Sequence, residues 1–382
     1  MKKICYVVTI PLTIRAFFIP QLKRLAQDYD VTVVCDHDDA LQQELGECIR
    51  YLPVAIPRGV HLGKTILAIR ELKKLFAREQ YDLVQYSTPN AAFCASIAAK
   101  AAKIKIRNYH LMGLRYLGAQ GFGRFLLKSL EKISCRLSTH IECVSPSNRT
   151  LGIQEGLFPE EKAVVVGSGS TGGVDLGRFD IQKKQTWREE IRQSLGIGPE
   201  EMVFGFVGRI TRDKGINELL TAFSQIKDCK CLIVGNQEGV HTLDSALWEA
   251  AKKDPDILIH PAVSQIAPYY AAMDVLLLPS YREGFGNVII ESGAMGVSAI
   301  VSRIPGPTDV VVDGITGLTV PAKDPTALYQ AMEQIRSQER YKVMGKEAYD
   351  FVSRHFDGDL LCEKIVERKR LLLEPSKEKI RS

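Results

Sequence analysis

The residues with the clearest chemical potential lie in one stretch of the second half, from Pro279 to Gly296. It follows the apolar run Val275–Leu278 and reads Glu283-Gly284-Phe285-Gly286-Asn287, with a second carboxylate at Glu291. Glycines between a strand and a helix expose backbone N–H groups, and the helix N-terminus adds partial positive charge, so such a loop suits a diphosphate. The two carboxylates would accept hydrogen bonds from hydroxyls of the attached group. The stretch therefore predicts a sugar-nucleotide site; the alternative is two exposed acids that complement the helix dipole.

Two cations follow the first apolar strand of the same half. The sequence runs Gly208-Arg209-Ile210-Thr211-Arg212-Asp213-Lys214-Gly215 and leaves the carboxyl end of a strand predicted over Val203–Val207. Open α/β sheets place their ligand crevice at that end of the strands. Arg209 can bind phosphate oxygens in a bidentate manner, and Lys214 can neutralise them as a point charge. Because the glycine loop belongs to the same sheet, we interpret the pair as phosphate ligands rather than surface residues.

Several common nucleotide and metal motifs are absent from the sequence. The turn after the first strand, Thr9–Arg15, contains no glycine, which excludes the GxGxxG dinucleotide fingerprint. No GxxxxGK[ST] loop, GxSxG elbow or HExxH helix occurs either. The nine cysteines form no CxxC pair, and Asp36-His37-Asp38 continues into a polar loop. We therefore expect no metal site, and no cofactor other than a nucleotide sugar that serves as co-substrate.

These motifs together resemble those of the retaining glycosyltransferases of family 4, whose fold is known as GT-B. The resemblance rests on Gly208-Arg209 with Lys214-Gly215, on Glu283-Gly284-Phe285-Gly286 with its E-x7-E spacing to Glu291, and on Gly167 to Asp175, which is similar to the family's interdomain segment. Within the family, the chain is most similar to bacterial enzymes that extend lipid-diphosphate-linked glycans. The implied fold class is α/β, with two doubly wound Rossmann-like domains that face each other across a cleft.

The resemblance implies catalytic roles for four residues. Arg209 and Lys214 would bind the donor diphosphate and stabilise it as the leaving group. Glu283 would contact hydroxyls of the transferred sugar. His110 ends a strand in the first half and precedes Leu111-Met112-Gly113, which is similar to the family's His-x-x-Gly at the reaction centre. The cations would neutralise the leaving diphosphate in place of a metal ion.

The resemblance also implies a binding site for a nucleotide sugar, for which we expect a UDP-sugar. Glu291 would hold the ribose hydroxyls, and backbone amides of the glycine loop would meet the sugar and the phosphates. The implied binding residues are Gly208, Arg209, Lys214, Gly284, Phe285, Gly286, Asn287 and Glu291. The chain departs from the family pattern in two places: Thr13 and Arg15 stand in a first loop that commonly has two glycines, and Gly172-Gly173-Val174-Asp175 replaces Asn-Gly-Val-Asp.

Alternating strand-like and helical patterns position these residues. In the first half, strands are predicted at Lys3–Thr9, Val31–Cys35, Leu83–Tyr86, Lys105–His110, His140–Val144 and Ala163–Val166. In the second half, they are predicted at Val203–Val207, Lys230–Val234, Ile257–His260, Val275–Leu278, Ala299–Val301 and Gly317–Val320. Helical patterns such as Ile66–Arg78 and Ala92–Ala102 separate them. This alternation is typical of parallel sheets with helices on both faces, so each half predicts one doubly wound sheet.

Length and composition favour two domains. The chain has 382 residues, of which 45% are hydrophobic and 25% charged, as is ordinary for a folded protein. We predict an N-terminal acceptor-binding domain over 1–175, a polar linker over 176–200 and a C-terminal nucleotide-sugar-binding domain over 201–360. A C-terminal helix over 361–382 would pack back toward the first domain. No apolar run is long enough to span a bilayer.

Positive charge is concentrated in the first half. Residues 1–175 carry 23 Lys and Arg against 16 Asp and Glu, within a whole-chain net charge of +5. Two basic runs, Arg58–Arg78 and Lys100–Arg136, supply most of it. The second run contains a predicted helix with apolar residues at near-helical spacing. The basic residues lie on another face of this helix, namely Arg124, Lys128, Lys132 and Arg136. This helix predicts contact with an anionic membrane surface; the alternatives are a helix packed on its own domain and a merely solvated surface.

The predicted function is retaining transfer of a sugar, which could be N-acetylated, from a UDP-sugar to a lipid-diphosphate-linked acceptor in bacterial surface polysaccharide assembly. The resemblance implies a front-face displacement, in keeping with the lack of a placed nucleophile. The enzyme, a hexosyltransferase, would be cytoplasmic and peripheral on the inner face of the membrane, with no nucleic acid partner. Two alternatives stay open: a nucleotide-sugar epimerase of the same fold, and a non-catalytic nucleotide-sugar-binding protein.

Overall fold

The chain divides into two units, each built on its own parallel sheet. The computed structural model describes residues 1–59 and 61–374. The first unit comprises residues 1–172 and the C-terminal segment from residue 359, and the second comprises residues 173–358. The predicted class, two helix-covered parallel sheets of doubly wound type, is confirmed.

The first unit contains a seven-stranded sheet with strand order β3-β2-β1-β4-β5-β6-β7, in which every pairing is parallel. Its elements in chain order are β1 (Lys3–Val7), α1 (Pro11–Phe17), α2 (Ile19–Leu25), β2 (Asp30–Cys35), α3 (Leu41–Leu45), β3 (Ile49–Pro53), α4 (Leu62–Glu79), β4 (Leu83–Ser87), α5 (Pro89–Ala101), β5 (Ile106–Leu111), α6 (Gly121–Leu137), β6 (His140–Cys143), α7 (Pro146–Gln154) and β7 (Ala163–Val165). The parallel strands all end at one edge of the sheet, where the loops that precede the helices begin.

One strand of this sheet, β3, is absent from the sequence prediction. Its sequence, Ile-Arg-Tyr-Leu-Pro, is short and has no continuous apolar run. The strand lies at the edge of the sheet and pairs only with β2, so Arg50 can stay exposed and Pro53 can end it. The other strands of both units agree with the predicted ones to within two residues.

Helices cover both faces of the first sheet. On one face, α4, α5 and α6 contribute buried residues such as Phe76, Ala95 and Cys135. On the other face, α1 and α2 contribute Ile14 and Leu22. Burial of both faces explains why β1 is a nearly continuous apolar run, and every residue of β4 is buried as well, including Gln85 and Ser87.

The second unit contains a six-stranded parallel sheet with strand order β10-β9-β8-β11-β12-β13. Its elements in chain order are α8 (Lys184–Leu195), β8 (Met202–Val207), α9 (Ile216–Phe223), β9 (Cys229–Val234), α10 (Ser245–Ala251), β10 (Ile257–His260), α11 (Ala267–Ala272), β11 (Val275–Leu278), α12 (Asn287–Ala294), β12 (Ser298–Ser302), β13 (Gly317–Val320), α13 (Pro325–Arg336) and α14 (Arg340–His355). The order places β8 beside β11, so the loops that follow these two strands leave the sheet as neighbours.

The structure differs from the predicted linker over residues 176–200. About half of that stretch, residues 184–195, forms α8, which packs on α11 within the second unit. Arg188 and Arg192 both donate to the carboxylate of Asp274, at 2.7 and 2.8 Å. The sequence of this stretch is typical of a linker because it has few apolar side chains. The helix is instead anchored mainly by the ion pairs of Arg188 and Arg192 with Asp274.

A last helix, α15 (Gly358–Leu373), returns the chain to the first unit. Its Lys369 is fully buried and lies 2.5 Å from the Glu142 carboxylate on β6, and its Leu373 joins the core beside α1 and α2. Residues 375–382 of the predicted C-terminal helix lie outside the described residues. Across residues 1–59 and 61–374, no helix combines the length and the apolar character needed to cross a membrane.

Candidate active site

The predicted phosphate-binding residues come from two loops at the carboxyl edge of the second sheet. One loop follows β8 and carries Arg209 and Lys214; the other follows β11 and carries Glu283. The ammonium of Lys214 lies 2.5 Å from Oε1 of Glu283. The backbone N–H of Tyr281 also donates to the carbonyl of Asp213, at 2.9 Å. The structure thus brings together two motifs that lie about seventy residues apart in the sequence.

Gly215 allows the two loops to approach each other. It has φ +76° and precedes α9, and a Cβ at this position would lie 2.1 Å from the carbonyl oxygen of Pro279. Only glycine accommodates both the left-handed conformation and this close approach. The glycine of the Lys214-Gly215 pair is therefore needed to hold the lysine against the second loop.

Glu283 is held in place by two donors. Its Oε1 accepts from the Lys214 ammonium and from the Ser280 hydroxyl, the latter at 2.8 Å, and only 12% of its side chain is exposed. The carboxylate thereby orients the lysine at the edge of the sheet. The alternative that Glu283 is an exposed acid that complements the α12 dipole does not fit this geometry.

Asp213 lies beside two further cations of the two loops, Arg282 and Arg209. Its Oδ2 lies 3.0 Å from Arg282 and 4.0 Å from Arg209, and its Oδ1 accepts from the Thr211 hydroxyl at 2.5 Å. Although burial opposes ionisation, the Thr211 hydrogen bond and the two guanidinium charges lower the pKa of Asp213. Arg209 itself is 64% exposed, so its guanidinium can reach an arriving anion. Sequence reasoning assigned no role to Arg282, whose position inside the glycine loop was the available signal.

Glu291 lies one turn into α12 and is partly buried. It accepts a hydrogen bond from the hydroxyl of Tyr270 on α11, at 2.8 Å. Burial raises the pKa of Glu291, against the opposing effects of the Tyr270 hydrogen bond and the Arg178 charge. Tyr270 is a residue that sequence reasoning missed, since no local pattern connects it with a helix that begins after the next strand.

The glycine loop itself bends sharply before α12. Gly286 has φ +95° and occupies the position before the first helical residue, Asn287. The Phe285 side chain is buried and packs edge-on against Phe356, with ring centroids 5.3 Å apart. Phe285 can therefore contribute its backbone to a ligand, whereas its ring belongs to the core. Gly208, at the start of the other loop, also has a positive φ, +149°.

His110 lies in the first unit, near the end of β5, and is buried. Its Nε2 is 3.2 Å from the Thr171 hydroxyl, its ring meets Phe18 edge-on, and its Nδ1 is 3.9 Å from the Glu142 carboxylate. Burial lowers the pKa of His110 to about 4, and the Lys369 charge acts in the same direction, against the effect of Glu142. The imidazole is therefore neutral at neutral pH.

The first loop does not present a free cation. Arg15 donates to Asp38 at 2.7 Å and to Glu44 at 2.8 Å, and Thr13 is buried. The hydrogen bonds from Arg15 lower the pKa of Asp38 to about 2. Asp38 of the Asp36-His37-Asp38 stretch is thus the ion-pair partner of an arginine, and the described ranges contain no group of His, Cys, Asp and Glu side chains that could hold a metal.

The predicted basic amphipathic helix is α6, but only two of its four cations face solvent. Arg124 and Lys128 both form ion pairs with Glu155, just after α7, so they face their own unit. The solvent side instead exposes Phe122 and Phe125, at 78% and 69%. Two further cations on the helix, Lys132 and Arg136, are also exposed. The helix therefore presents aromatic rings together with two of the four predicted cations.

Two family models match the sequence, one in each unit. Residues 21–170 match the model described as Glycosyltransferase Family 4. Residues 187–351 match the model described as Glycosyl transferases group 1. The family that the motifs indicate is thereby confirmed.

Individual relatives agree with these matches. The capsular polysaccharide biosynthesis glycosyltransferase CapM of Staphylococcus aureus is 29% identical over 384 residues, which cover 99% of each chain. The UDP-Gal:alpha-D-GlcNAc-diphosphoundecaprenol alpha-1,3-galactosyltransferase of Escherichia coli is 23% identical over 329 residues, 84% of this chain and 83% of that protein. The structure of sucrose-phosphate synthase from Thermosynechococcus elongatus shares the fold, with a TM-score of 0.80 at 18% identity over 98% of this chain and 100% of that chain. The GT-B fold class is confirmed.

Proposed function

This chain belongs to glycosyltransferase family 4, and from that premise we propose that it moves a sugar, with retention of configuration, from a UDP-sugar to a glycan carried on a lipid diphosphate. The observation that carries the proposal is the ion pair between Lys214 and Glu283, with Arg209 and Arg282 beside it on the same two loops. Three cations held by two carboxylates at the carboxyl edge of a parallel sheet suit a diphosphate.

Arrival of the donor would rearrange this cluster. Its diphosphate would replace Glu283 as the main partner of Lys214, since the two phosphate groups together carry two negative charges and the carboxylate carries one. Glu283 would then be able to accept hydrogen bonds from hydroxyls of the transferred sugar while Ser280 still orients it. Glu291 and Tyr270 would meet the ribose hydroxyls as acceptor and donor.

The chemical step is a substitution at the anomeric carbon. The bond from that carbon to the diphosphate oxygen breaks, and a bond from the acceptor hydroxyl oxygen forms on the same face. The hydroxyl proton moves to the departing diphosphate, and the electron pair of the broken bond stays on that oxygen. Lys214, Arg209 and Arg282 stabilise the developing charge, which is the largest electrostatic demand of the reaction.

The acceptor is proposed from charge and from the relatives. The names of the two relatives refer to capsular polysaccharide biosynthesis and to a diphosphoundecaprenol substrate. The basic first unit and the exposed rings of Phe122 and Phe125 suit an acceptor held at an anionic membrane surface. We place the enzyme at the inner face of the cell membrane as a peripheral protein.

A transfer assay tests this function. The purified full chain is incubated with each of several UDP-sugars and with undecaprenyl-diphosphate N-acetylglucosamine as the probe acceptor. We expect a lipid-linked disaccharide whose new linkage has the anomeric configuration of the donor, measured by NMR. Inversion would contradict the mechanism. Conversion of the donor to its epimer without any acceptor would favour the epimerase instead.

Chelation tests the role given to the cations. Because Lys214, Arg209 and Arg282 face the diphosphate, we expect turnover to continue in EDTA. Loss of turnover that Mg²⁺ or Mn²⁺ restores would show that a metal ion supplies charge that we assign to these side chains.

A further inference from the structure

The first unit contains a pocket to which the proposed reaction has so far assigned no residue. A pocket of about 240 Å³ lies between α4, α5 and α6. Its walls are mainly apolar and include Leu62, Phe93, Leu126, Leu127 and Leu130. Pockets with apolar walls and a few convergent polar groups are the usual form of small-molecule sites.

The rim of this pocket is a built structure. The side-chain amide of Asn90, at the start of α5, donates to the carbonyls of Pro57 and Gly59, at 2.7 Å each. The oxygen of the same amide accepts from Arg115 at 3.2 Å. Asn90 therefore joins the segment before α4, the start of α5 and the turn after β5, and it fixes the Arg115 guanidinium at the pocket rim.

The pocket opens among exposed apolar side chains. Leu62 lines it and is 77% exposed, and Leu67, on the same helix, is 63% exposed. On the opposite wall, Leu126 is one helical turn from Phe122 and adjacent to Phe125. A pocket with an exposed leucine in its wall, between helices that carry further exposed apolar side chains, suits an apolar ligand that arrives from a lipid phase.

We propose that this pocket binds the first isoprene units of the lipid-diphosphate acceptor, with Arg115 at the diphosphate. The inference rests on the proposed function and names the part of the acceptor that the first unit recognises. Charge complementarity favours this occupant, because a cation at the rim and an apolar interior match a diphosphate joined to a hydrocarbon chain. An apolar cavity of about 150 Å³ holds benzene, so a pocket of this size can hold roughly ten carbon atoms, or two isoprene units.

The chain connectivity places this pocket near the predicted reaction centre. Arg115 follows His110 by five residues, so their Cα atoms are separated by at most about 18 Å. A lipid diphosphate at Arg115 would therefore keep its attached saccharide within reach of the carboxyl end of β5. The pocket would act as a positioning site for the acceptor, and no residue in it touches the reacting atoms.

Glu131 is the polar group in the wall that requires explanation. It is buried on α6, and burial raises its pKa to about 7, although a hydrogen bond from Tyr109 acts against the shift. Near neutral pH, Glu131 is therefore protonated and uncharged in a large fraction of the molecules. The uncharged carboxyl can lie beside a hydrocarbon chain at a much lower free-energy cost than a carboxylate.

Photolabelling tests the proposal without depending on turnover. The full chain is irradiated with a benzophenone-bearing farnesyl diphosphate, and the labelled peptides are identified by mass spectrometry. We expect labels on α5 and the inner side of α6, around Phe93 and Leu126. Undecaprenyl phosphate in detergent should compete for labelling, whereas inorganic diphosphate should compete far less.

Two variants locate the site. Thr65→Trp on α4 and Leu126→Trp on α6 each place a large ring where the isoprene units would lie. Loss of burial for two or more methylene groups should lower labelling at least about tenfold. Ala77→Trp, at an exposed position of α4 outside the pocket, is the matched control and should label as the unaltered chain does. Circular dichroism would show whether either filling variant misfolds. Because the two substitutions lie on different helices, one variant still tests the site if the other does not fold.

Three results would overturn the inference: labels confined to the exposed Phe122 and Phe125, full competition by inorganic diphosphate, or labelling of both filling variants equal to that of the unaltered chain. Any of these could occur while transfer to the lipid-linked acceptor proceeds, so the inference would fail and the proposed function would stand. The reverse case, labelling in the pocket without transfer from any UDP-sugar, would contradict the proposed function alone.

Discussion

At the scale of single residues, the proposed donor site is a cluster of three cations and two carboxylates. Glu283 and Asp213 hold Lys214, Arg282 and Arg209 in place before any ligand arrives. Such preorganisation matters for catalysis, because charges that are already oriented need not reorganise as the transition state forms. The buried His110 contrasts with this cluster: its ring is neutral, so it can accept or donate a hydrogen bond but carries no charge at neutral pH.

Removing either Lys214 or Arg209 should slow transfer. Lys214→Ala and Arg209→Ala are each expected to lower kcat/KM by at least about tenfold, because each variant loses a charge-assisted contact with the leaving group. The loss should be larger for Lys214→Ala, since Glu283 then faces the diphosphate without its partner. Steady-state kinetics with the UDP-sugar measure both effects.

The matched control for these variants is Lys230→Ala. Lys230 pairs with Asp256 at 2.6 Å, and it lies near the start of β9, at the edge of the sheet opposite the two loops. Its removal should leave kcat/KM unchanged. Wild-type activity in Lys214→Ala and Arg209→Ala would contradict the diphosphate assignment.

A second residue-scale prediction concerns Glu131. Its pKa is about 7 in the folded chain against an ordinary value of 4.5, so the folded state binds the proton more tightly than the unfolded state. This contribution to stability is complete below about pH 4.5 and is lost as pH rises through 7, with a total on the order of 3 kcal/mol. Glu131→Gln should remove it, so the Tm of the variant should exceed that of the wild type at pH 8 by more than at pH 5.

Thermal unfolding at the two pH values measures this effect. Glu160→Gln is the control, because Glu160 is exposed in the same unit and should show the pH dependence of the wild type. If the Tm difference between Glu131→Gln and the wild type were the same at both pH values, the buried carboxyl would not be the titrating group.

At the scale of secondary-structure elements, α15 is attached to the first unit by a buried ion pair. Lys369 is inaccessible to solvent and meets Glu142, which in turn lies near His110. Burial opposes the ionised form of Glu142, but the Lys369 and His110 contacts lower its pKa. The Lys369 charge on the helix thereby offsets the free-energy cost of burying the ionised Glu142 in the core.

Breaking this pair should destabilise the first unit strongly. Lys369→Met is expected to lower the free energy of unfolding by about 3–5 kcal/mol, because it leaves the Glu142 charge buried without a partner. Adding Glu142→Gln should recover part of the loss. Urea denaturation measures these differences. Lys364→Met, at an exposed position of the same helix, should change stability little, and an equal loss in both single variants would refute the ion-pair argument.

At the scale of the whole molecule, charge is unevenly distributed between the two halves of the sequence. The excess of Lys and Arg lies in residues 1–175, which form most of the first unit. On that unit, α6 exposes Phe122 and Phe125 together with Lys132 and Arg136. Aromatic rings beside cations are typical of helices that lie at a membrane surface.

The membrane proposal predicts selective binding to anionic vesicles. The chain should co-sediment with vesicles that contain phosphatidylglycerol and not with phosphatidylcholine alone, and binding should weaken as salt rises. Lys132→Glu with Arg136→Glu should remove the salt-sensitive part. Phe122→Ser with Phe125→Ser should remove the salt-resistant part.

Arg124 and Lys128 are unsuitable for this test, because their reversal would break the ion pairs with Glu155. The control is instead Lys227→Glu with Lys253→Glu, two exposed cations of the second unit. Vesicle binding that survived both α6 double variants would mean that another surface meets the lipid.

The sequence alone determined the family, the fold class and the positions of the described strands other than β3. Local patterns were sufficient for this, since apolar runs, glycine loops and short motifs such as Glu283 to Glu291 are properties of neighbouring residues. The same reasoning brought Lys214 and Glu283 into one site, because adjacent parallel strands end at the same edge of a sheet.

Only the tertiary structure decided which partner each charged residue has. Arg124 and Lys128 turn toward Glu155, Arg15 is held by Asp38 and Glu44, and Lys369 pairs with a carboxylate more than two hundred residues away. For the same reason the sequence predicts a linker where the helix over 184–195 lies, since the arginines that anchor this helix pair with the distant Asp274. Ion pairs and hydrogen bonds between distant segments leave no periodic pattern in the sequence, because only folding brings their members together.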